Sequence, residues 1–386
     1  MPTLPETPLY DFAPVLRLML MGLLIAAAPL TWAWLRSKSS SVSQRLRVLT
    51  LVILFFTFDL VLFGAFTRLT DSGLGCPDWP GCYGHASPVG AQLHITAAQN
   101  AMPSGPVTLP KAWIEMVHRY FASGVGVLIL TLALASWFAR KQTQLSPKLA
   151  IVTLMWVCLQ GAFGALTVTM KLFPAIVTLH LLGGMVLLAL LKTQATQLAQ
   201  VQGQHVVLAV SGKTRSLVLL TFVLLWLQIA LGGWVSTNYA VMACTDFPAC
   251  QNSLWPAMNF KEGFTFWRAL GAGLNGDNIS FQALTAIHYV HRLSAYVLFA
   301  AAIGLAFQLY KFRLMRRQAS WLAGLVLFQM ATGLGNVWLG WPLAAAVLHT
   351  AGAAALVVVM TGIICSTRYA SATVSASKFS SPQLFA

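Results

Sequence analysis

Long apolar runs decide what this chain can become. Nine of them recur, at 15–35, 48–67, 112–138, 149–169, 174–191, 216–237, 282–309, 319–340 and 342–365. About 20 apolar residues in an α-helix cross the hydrocarbon core of a bilayer, where only helices and closed barrels satisfy the backbone. The chain is 58% hydrophobic and 9% charged, against about a quarter charged in a soluble domain. The sequence therefore predicts an all-α integral membrane protein and excludes a soluble globule.

The net charge of +15 does not point to nucleic acid, because of where the charge lies. Arg36, Lys38, Arg45 and Arg47 follow the first run. Arg140, Lys141 and Lys148, then Lys192, Lys213 and Arg215, then Lys311, Arg313, Arg316 and Arg317, then Arg368 and Lys378 follow every second one thereafter. The opposite loops hold Asp71, Asp78, Asp246, Glu262 and Asp277. Basic loops face the cytoplasm, so the amino terminus is expected outside and the carboxy terminus inside. Residues 15–35 do not read as a signal peptide, since Glu6 and Asp11 precede them with Arg17 as the sole base.

The chain repeats itself. Cys76-Pro-Asp-Trp-Pro-Gly-Cys82 matches Cys244-Thr-Asp-Phe-Pro-Ala-Cys250, and Gly64 and Gly232 each lie twelve residues before the pair. Glu115-Met-Val-His118-Arg119 matches His288-Tyr-Val-His291-Arg292. Gln160 precedes His180 by 20 residues, as Gln329 precedes His349, and Pro174 and Pro342 open the last helices. Two four-helix halves follow, 48–192 and 216–366, as parallel repeats related by an axis along the membrane normal. Residues 1–47 add an extra transmembrane helix and loop. Residues 193–215 form a polar linker, and 367–386 form a Ser-rich tail expected to be disordered.

Ionisable side chains are costly inside a bilayer and mark function. His118, His180, His291 and His349 lie six to nine residues past the expected outer starts of their helices, roughly 9–14 Å deep at 1.5 Å per residue. Each half thus offers two imidazoles, on its second and fourth helices, able to ligate a haem iron axially. The alternative is core histidines bonded across helices. Zinc or copper at the same imidazoles lacks further ligands at usual spacing. Arg119 and Arg292, with Arg68, could pair with haem propionates or reach to the interface. The small residues Ala122-Ser-Gly-Val-Gly126 could admit a flat macrocycle or pack helices.

Glu115 sits one turn before His118, where the second half carries His288. A partly desolvated carboxylate beside a substrate could move protons; otherwise it is a helix-start acid favoured by the dipole. Both cysteine pairs fall in outside loops, where each closes a disulfide or serves as an exchanging dithiol. Cys158 and Cys365 read as packing residues. Asp59 is mid-span without a counterpart, and His85, His94 and His205 are loop residues without evident partners.

Gly64-Ala-Phe-Thr-Arg-Leu-Thr-Asp-Ser-Gly-Leu74, the Glu115–Arg119 stretch, Gln160-Gly-Ala-Phe-Gly164 and the four placed histidines together resemble haem A synthase over residues 48–365. That resemblance implies a substrate haem O between His118 and His180, and a haem b cofactor ligated by His291 and His349. It implies Glu115 as the essential acid, and Cys76 and Cys82 as the loop pair of cysteine-containing members. The implied reaction oxidises the C8 methyl of haem O to a formyl group by successive hydroxylations, with water as oxygen source, for terminal oxidase assembly. Haem O synthase, oxidase assembly factors and an unspecified electron acceptor are the implied partners, in the bacterial cytoplasmic membrane; self-association stays open. The contrasting expectation is a di-haem b membrane cytochrome that only carries electrons. The repeat also allows a transporter, although no span is visibly broken near the midplane.

Overall fold

Helix starts are set by capping residues. The computed structural model describes residues 13–369 apart from 144, 206 and 275. In chain order its helices are α1 (Ala13–Ser37), α2 (Val42–Leu69), α3 (Gln92–Ala101), α4 (Leu109–Phe138), α5 (Arg140–Thr143) and α6 (Lys148–Thr169). They continue with α7 (Pro174–Val201), α8 (Gly212–Thr237), α9 (Phe260–Gly263), α10 (Phe281–Tyr310), α11 (Arg316–Trp338) and α12 (Leu343–Ser366). Ser41, Thr108, Ser211 and Ser280 each accept a backbone N–H of the first turn of α2, α4, α8 and α10, satisfying donors that have no partner within the helix. Pro174 begins α7 and Pro342 caps α12, positions where a missing N–H costs nothing.

Among the described residues nine long helices occupy the nine expected places. Eight are long and apolar enough to cross a membrane. The ninth, α11, is 23 residues long but begins Arg-Arg-Gln and carries Gln329 and Asn336, which lower its apolar character.

Within the first half α2, α4, α6 and α7 contact one another in a closed ring, and in the second half α8, α10, α11 and α12 do the same. The halves meet through α2 and α7 on one side and α8 and α12 on the other. One core runs across this seam, with Met185 and Leu188 of α7 among Val218, Leu225, Leu305, Leu322, Val357 and Met360. A second core joins α1, α2, α4 and α7 through Ala26, Ile53, Leu128, Ile129, Leu132, Leu187 and Leu191. Side chains such as Phe55, Phe138, Met155, Phe307 and Trp338 remain exposed, as a lipid-facing surface requires.

Three expectations change. The linker over 193–215 contracts, because α7 runs on to Val201 and α8 begins at Gly212. Polar residues after Leu191 hid that extension, yet Gln194, Thr196, Leu198 and Ala199 are buried. The remaining linker carries strand β1 (Leu208–Val210), which pairs in parallel with β2 (Thr367–Tyr369). The first residues of the expected disordered tail are therefore ordered; 370–386 lie outside the described residues. Finally, α4 starts at Leu109 rather than 112, so His118 lies nine residues into its helix and His291 ten, against six each for His180 and His349. The halves still match each other.

The extra helix α1 lies against α4 and α2. A Cβ on Gly22 would fall 2.9 Å from Ser123, and one on Gly124 would fall 2.8 Å from Ile25 of α1. Ser123 and Gly124 thus serve helix packing rather than a macrocycle; Gly126 faces open space.

Candidate functional site

Each half is closed at one end by a cysteine loop, and the two loops share one construction. Cys76–Cys82 and Cys244–Cys250 are disulfides, all four residues fully buried. Burial removes them from exchange with an outside thiol. Asp78 accepts from the backbone N–H of Tyr83 at 2.6 Å and Gly84 at 2.7 Å. Asp246 accepts likewise from Gln251 at 2.8 Å and Asn252 at 2.9 Å. The amides of Asn252 and Gln251 hold the Asp246 carboxyl below its ordinary value of 3.8.

The arginines clamp these loops. Arg119 donates to the carbonyls of Asp78 at 2.9 Å and Pro80 at 3.3 Å, and to that of Gly81. Arg292 donates to Asp246 at 3.0 Å, Pro248 at 3.5 Å, Ala249 at 2.7 Å and Cys244 at 3.4 Å. Both are buried and do not reach out to the interface; their contacts are those of supports. Arg68 donates to Ser236 O at 2.7 Å, pairs with Asp71 at 3.3 Å and lies 4.1 Å over the Tyr239 ring, bridging the halves.

Glu115 is buried and doubly held. One oxygen takes Arg119, and the other accepts from Cys76 N at 2.8 Å. It is therefore no surface acid, and it links α4 to the disulfide. In the second half His288 stands in its place, with Nδ1 3.1 Å from Ala240 O and Nε2 3.4 Å from Arg292. One architecture thus carries a carboxylate in one half and an imidazole in the other.

Each of the four deeper histidines lies against a glycine of a neighbouring helix. The Cβ position of Gly64 is 3.2 Å from Cε1 of His118, and that of Gly164 is 3.6 Å from Cε1 of His180. Gly232 stands 3.0 Å from Cε1 of His291, and Gly333 3.3 Å from Cε1 of His349. At Gly64, Gly232 and Gly333 a side chain would crowd the ring, whereas at Gly164 it would make ordinary contact. His118 lies within electrostatic reach of His180, and His291 within reach of His349, so each half brings its two imidazoles together. Among the described residues there is no group of three or more His, Cys, Asp or Glu that could hold a metal ion.

The pairs differ in their support. Nδ1 of His118 and of His180 is buried without a hydrogen-bond partner. Nδ1 of His291 lies 3.0 Å from the Gln228 amide, and Nδ1 of His349 lies 2.9 Å from Thr332 Oγ1. Gln329 donates to His349 O at 2.8 Å, while Gln160 packs against Gly183. The donor set fits axial ligation of a haem in each half: paired, half-buried imidazoles, each beside a glycine of a neighbouring helix. Gln228, Thr332 and Gly333 escaped the sequence analysis. A strict overlay of the halves would have found the first two, since Leu60 and Phe163 stand in their places.

Other residues fall elsewhere. His94 stacks on Tyr83 with centroids 5.5 Å apart, and His205 meets Ser366 at 2.8 Å. Cys365 is half-buried near Thr193, but Cys158 is exposed and not packed. Asp59 is exposed on α2.

A family profile described as Cytochrome oxidase assembly protein (COX15-CtaA) matches residues 47–361. A protein of Shewanella oneidensis named Heme A synthase is 35% identical over 316 residues, covering 81% of this chain and 93% of that protein. Proteins of the same name from Mesorhizobium japonicum (28% identity, 77% of this chain, 84% of that protein) and Caulobacter sp. (28%, 80%, 92%) are also similar. The matched span covers both histidine pairs, both cysteine loops and Glu115, and the chain accordingly belongs to the COX15-CtaA family of cytochrome oxidase assembly proteins.

Proposed function

We propose that this chain is a multi-pass enzyme of the bacterial cytoplasmic membrane that converts haem O to haem A for terminal oxidase assembly. The observation that carries this is the unequal pair of halves: matched imidazoles in both, but one turn before the first of them a buried carboxylate, Glu115, in one half and His288 in the other. The name shared by the similar proteins agrees with it. In this reading an added first helix precedes a first half that ends with α7 at Val201 and holds the substrate, and a short linker leads to a second half that begins with α8 at Gly212 and holds the cofactor. The cysteine loops face outward, the amino terminus is outside, and the basic loops and carboxy terminus are inside.

In this reading His118 and His180 hold haem O, and the C8 methyl is oxidised to a formyl group with water as the oxygen source. Methyl plus water to aldehyde releases four protons and four electrons. Glu115 receives protons. Arg119 and the Cys76 amide fix that carboxylate, and through it the disulfide loop closes the site against bulk water. Arg119 and Arg292 act as supports of the two cysteine loops, and Arg68 as a fastening between the halves, rather than as propionate partners. His291 and His349 would hold haem b, which supplies one-electron relay chemistry toward an acceptor outside the chain. Haem O synthase and oxidase assembly factors are the partners this activity requires.

The test is expression with a haem O synthase, followed by extraction and separation of the haems. Haem A is expected from the native protein and is expected to be absent from Glu115→Gln, which keeps the shape of the side chain. Two equivalent haem b groups and no haem A would instead establish an electron-carrying cytochrome.

A further inference from the structure

We infer that Gln228 and Thr332 make the second half a site that keeps its haem, whereas Leu60 and Phe163 at the same repeat positions make the first half a site that lets its haem go. The inference rests on the assignment of the two histidine pairs given above. It adds what separates a resident cofactor from a passing substrate on otherwise duplicated ligands.

Thr332 decides the state of the His349 ring. Its hydroxyl lies 3.0 Å from Phe328 O and 2.9 Å from His349 Nδ1. A hydroxyl has one proton to give. It goes to the carbonyl, which can only accept, and Oγ1 in turn accepts from Nδ1–H. The ring is left with its proton on Nδ1 and a bare lone pair on Nε2, the form that binds iron. Gln228 pins His291 in the same place, its amide nitrogen 3.0 Å from Nδ1 and 3.1 Å from His291 O. Its Oε1 is buried without a partner. That amide holds the His291 ring in place, while Thr332 supplies the acceptor that sets a tautomer in this half.

The first half has neither device. Leu60 is four residues before Gly64, as Gln228 is before Gly232, and Phe163 is three after Gln160, as Thr332 is after Gln329. Both are apolar, and both Nδ1 atoms of that half are orphaned. An acceptor on the remote N–H of a ligating imidazole fixes ring and tautomer and raises ligand basicity; its loss typically costs 10–100-fold in affinity. A substrate must enter and its product must leave at every turnover, and a cofactor must do neither. The unequal support follows that demand.

The experiment uses the full-length protein loaded with haem. Haem loss from the second half is followed by transfer to apomyoglobin, and its reduction midpoint potential is measured alongside. Thr332→Val and Gln228→Leu keep side-chain size, and each is expected to speed haem loss by about 10–100-fold. Thr332→Val should also raise the midpoint potential, since a less basic ligand favours the ferric state less. Thr332→Ser should restore both. Phe163→Thr is the converse variant and is expected to slow haem loss from the first half. Native retention and potential in Thr332→Val and Gln228→Leu would overturn the inference while leaving the ligand assignment intact. Retention of the second-half haem in His349→Ala would overturn that assignment, and the inference with it.

Discussion

A single missing methyl group sets the position of each imidazole. Gly232 and Gly64 leave 3.0 and 3.2 Å between a would-be Cβ and the ring, whereas Gly164 leaves an ordinary 3.6 Å. Overpacking a filled site costs about 1–3 kcal/mol. Gly232→Ala and Gly64→Ala should therefore push His291 and His118 off position and lower bound haem in their own half. Gly164→Ala should be tolerated. Haem-to-protein ratios from pyridine haemochrome spectra check all three, and equal losses would show that the glycines act through helix packing alone. The glycines before the cysteine loops are visible in the sequence, but their purpose is not. The contact partner lies 54 residues away for Gly64 and 59 for Gly232, beyond any local pattern.

The cysteine loops behave as elements more than as reactive groups. Arg119 spreads one guanidinium over three carbonyls and Glu115, a fork that an ammonium group cannot reproduce. Arg119→Lys should loosen the loop and expose the buried Cys76–Cys82 bond. The measurement is the rate of alkylation after mild reduction, expected to rise several-fold at this pair and to stay unchanged at Cys244–Cys250. Helix positions were legible because apolar runs and Ser, Thr and Pro caps act locally. The buried polar end of α7, the three-residue strands and the inward turn of Arg119 and Arg292 were not. Each is decided by a partner distant in the chain: β2 for β1, and a loop some 40 residues earlier for each arginine. The pairing of histidines was legible because the repeat displayed it twice; its unequal support was not, because a repeat draws attention to what agrees.

At the scale of the molecule the two halves act as a fused dimer. The seam is continuous core, joined by Thr178 to Thr237 at 3.1 Å and by Gln200, which donates to Cys365 O at 3.2 Å. The connection itself, after Gly203, adds the β1–β2 pairing and contacts of Gln204 with Arg47 and of His205 with Ser366, all of which a cut at 203/204 leaves in place. Co-expressed fragments divided at 203/204 should therefore assemble and co-purify with most of the haem of the intact chain. Failure to co-purify would show that continuity of the linker holds the seam together. The outer end of the seam has its own fastening, in which Arg68 reaches Ser236 and covers Tyr239, whose hydroxyl donates to Asp71 at 2.6 Å. Under the electron relay proposed above, from one half to the other, this strap has a kinetic meaning. Tunnelling rates fall off steeply with the width of the gap, so two duplicates free to breathe apart would transfer charge in bursts. Duplicates strapped together would do so at a steady pace.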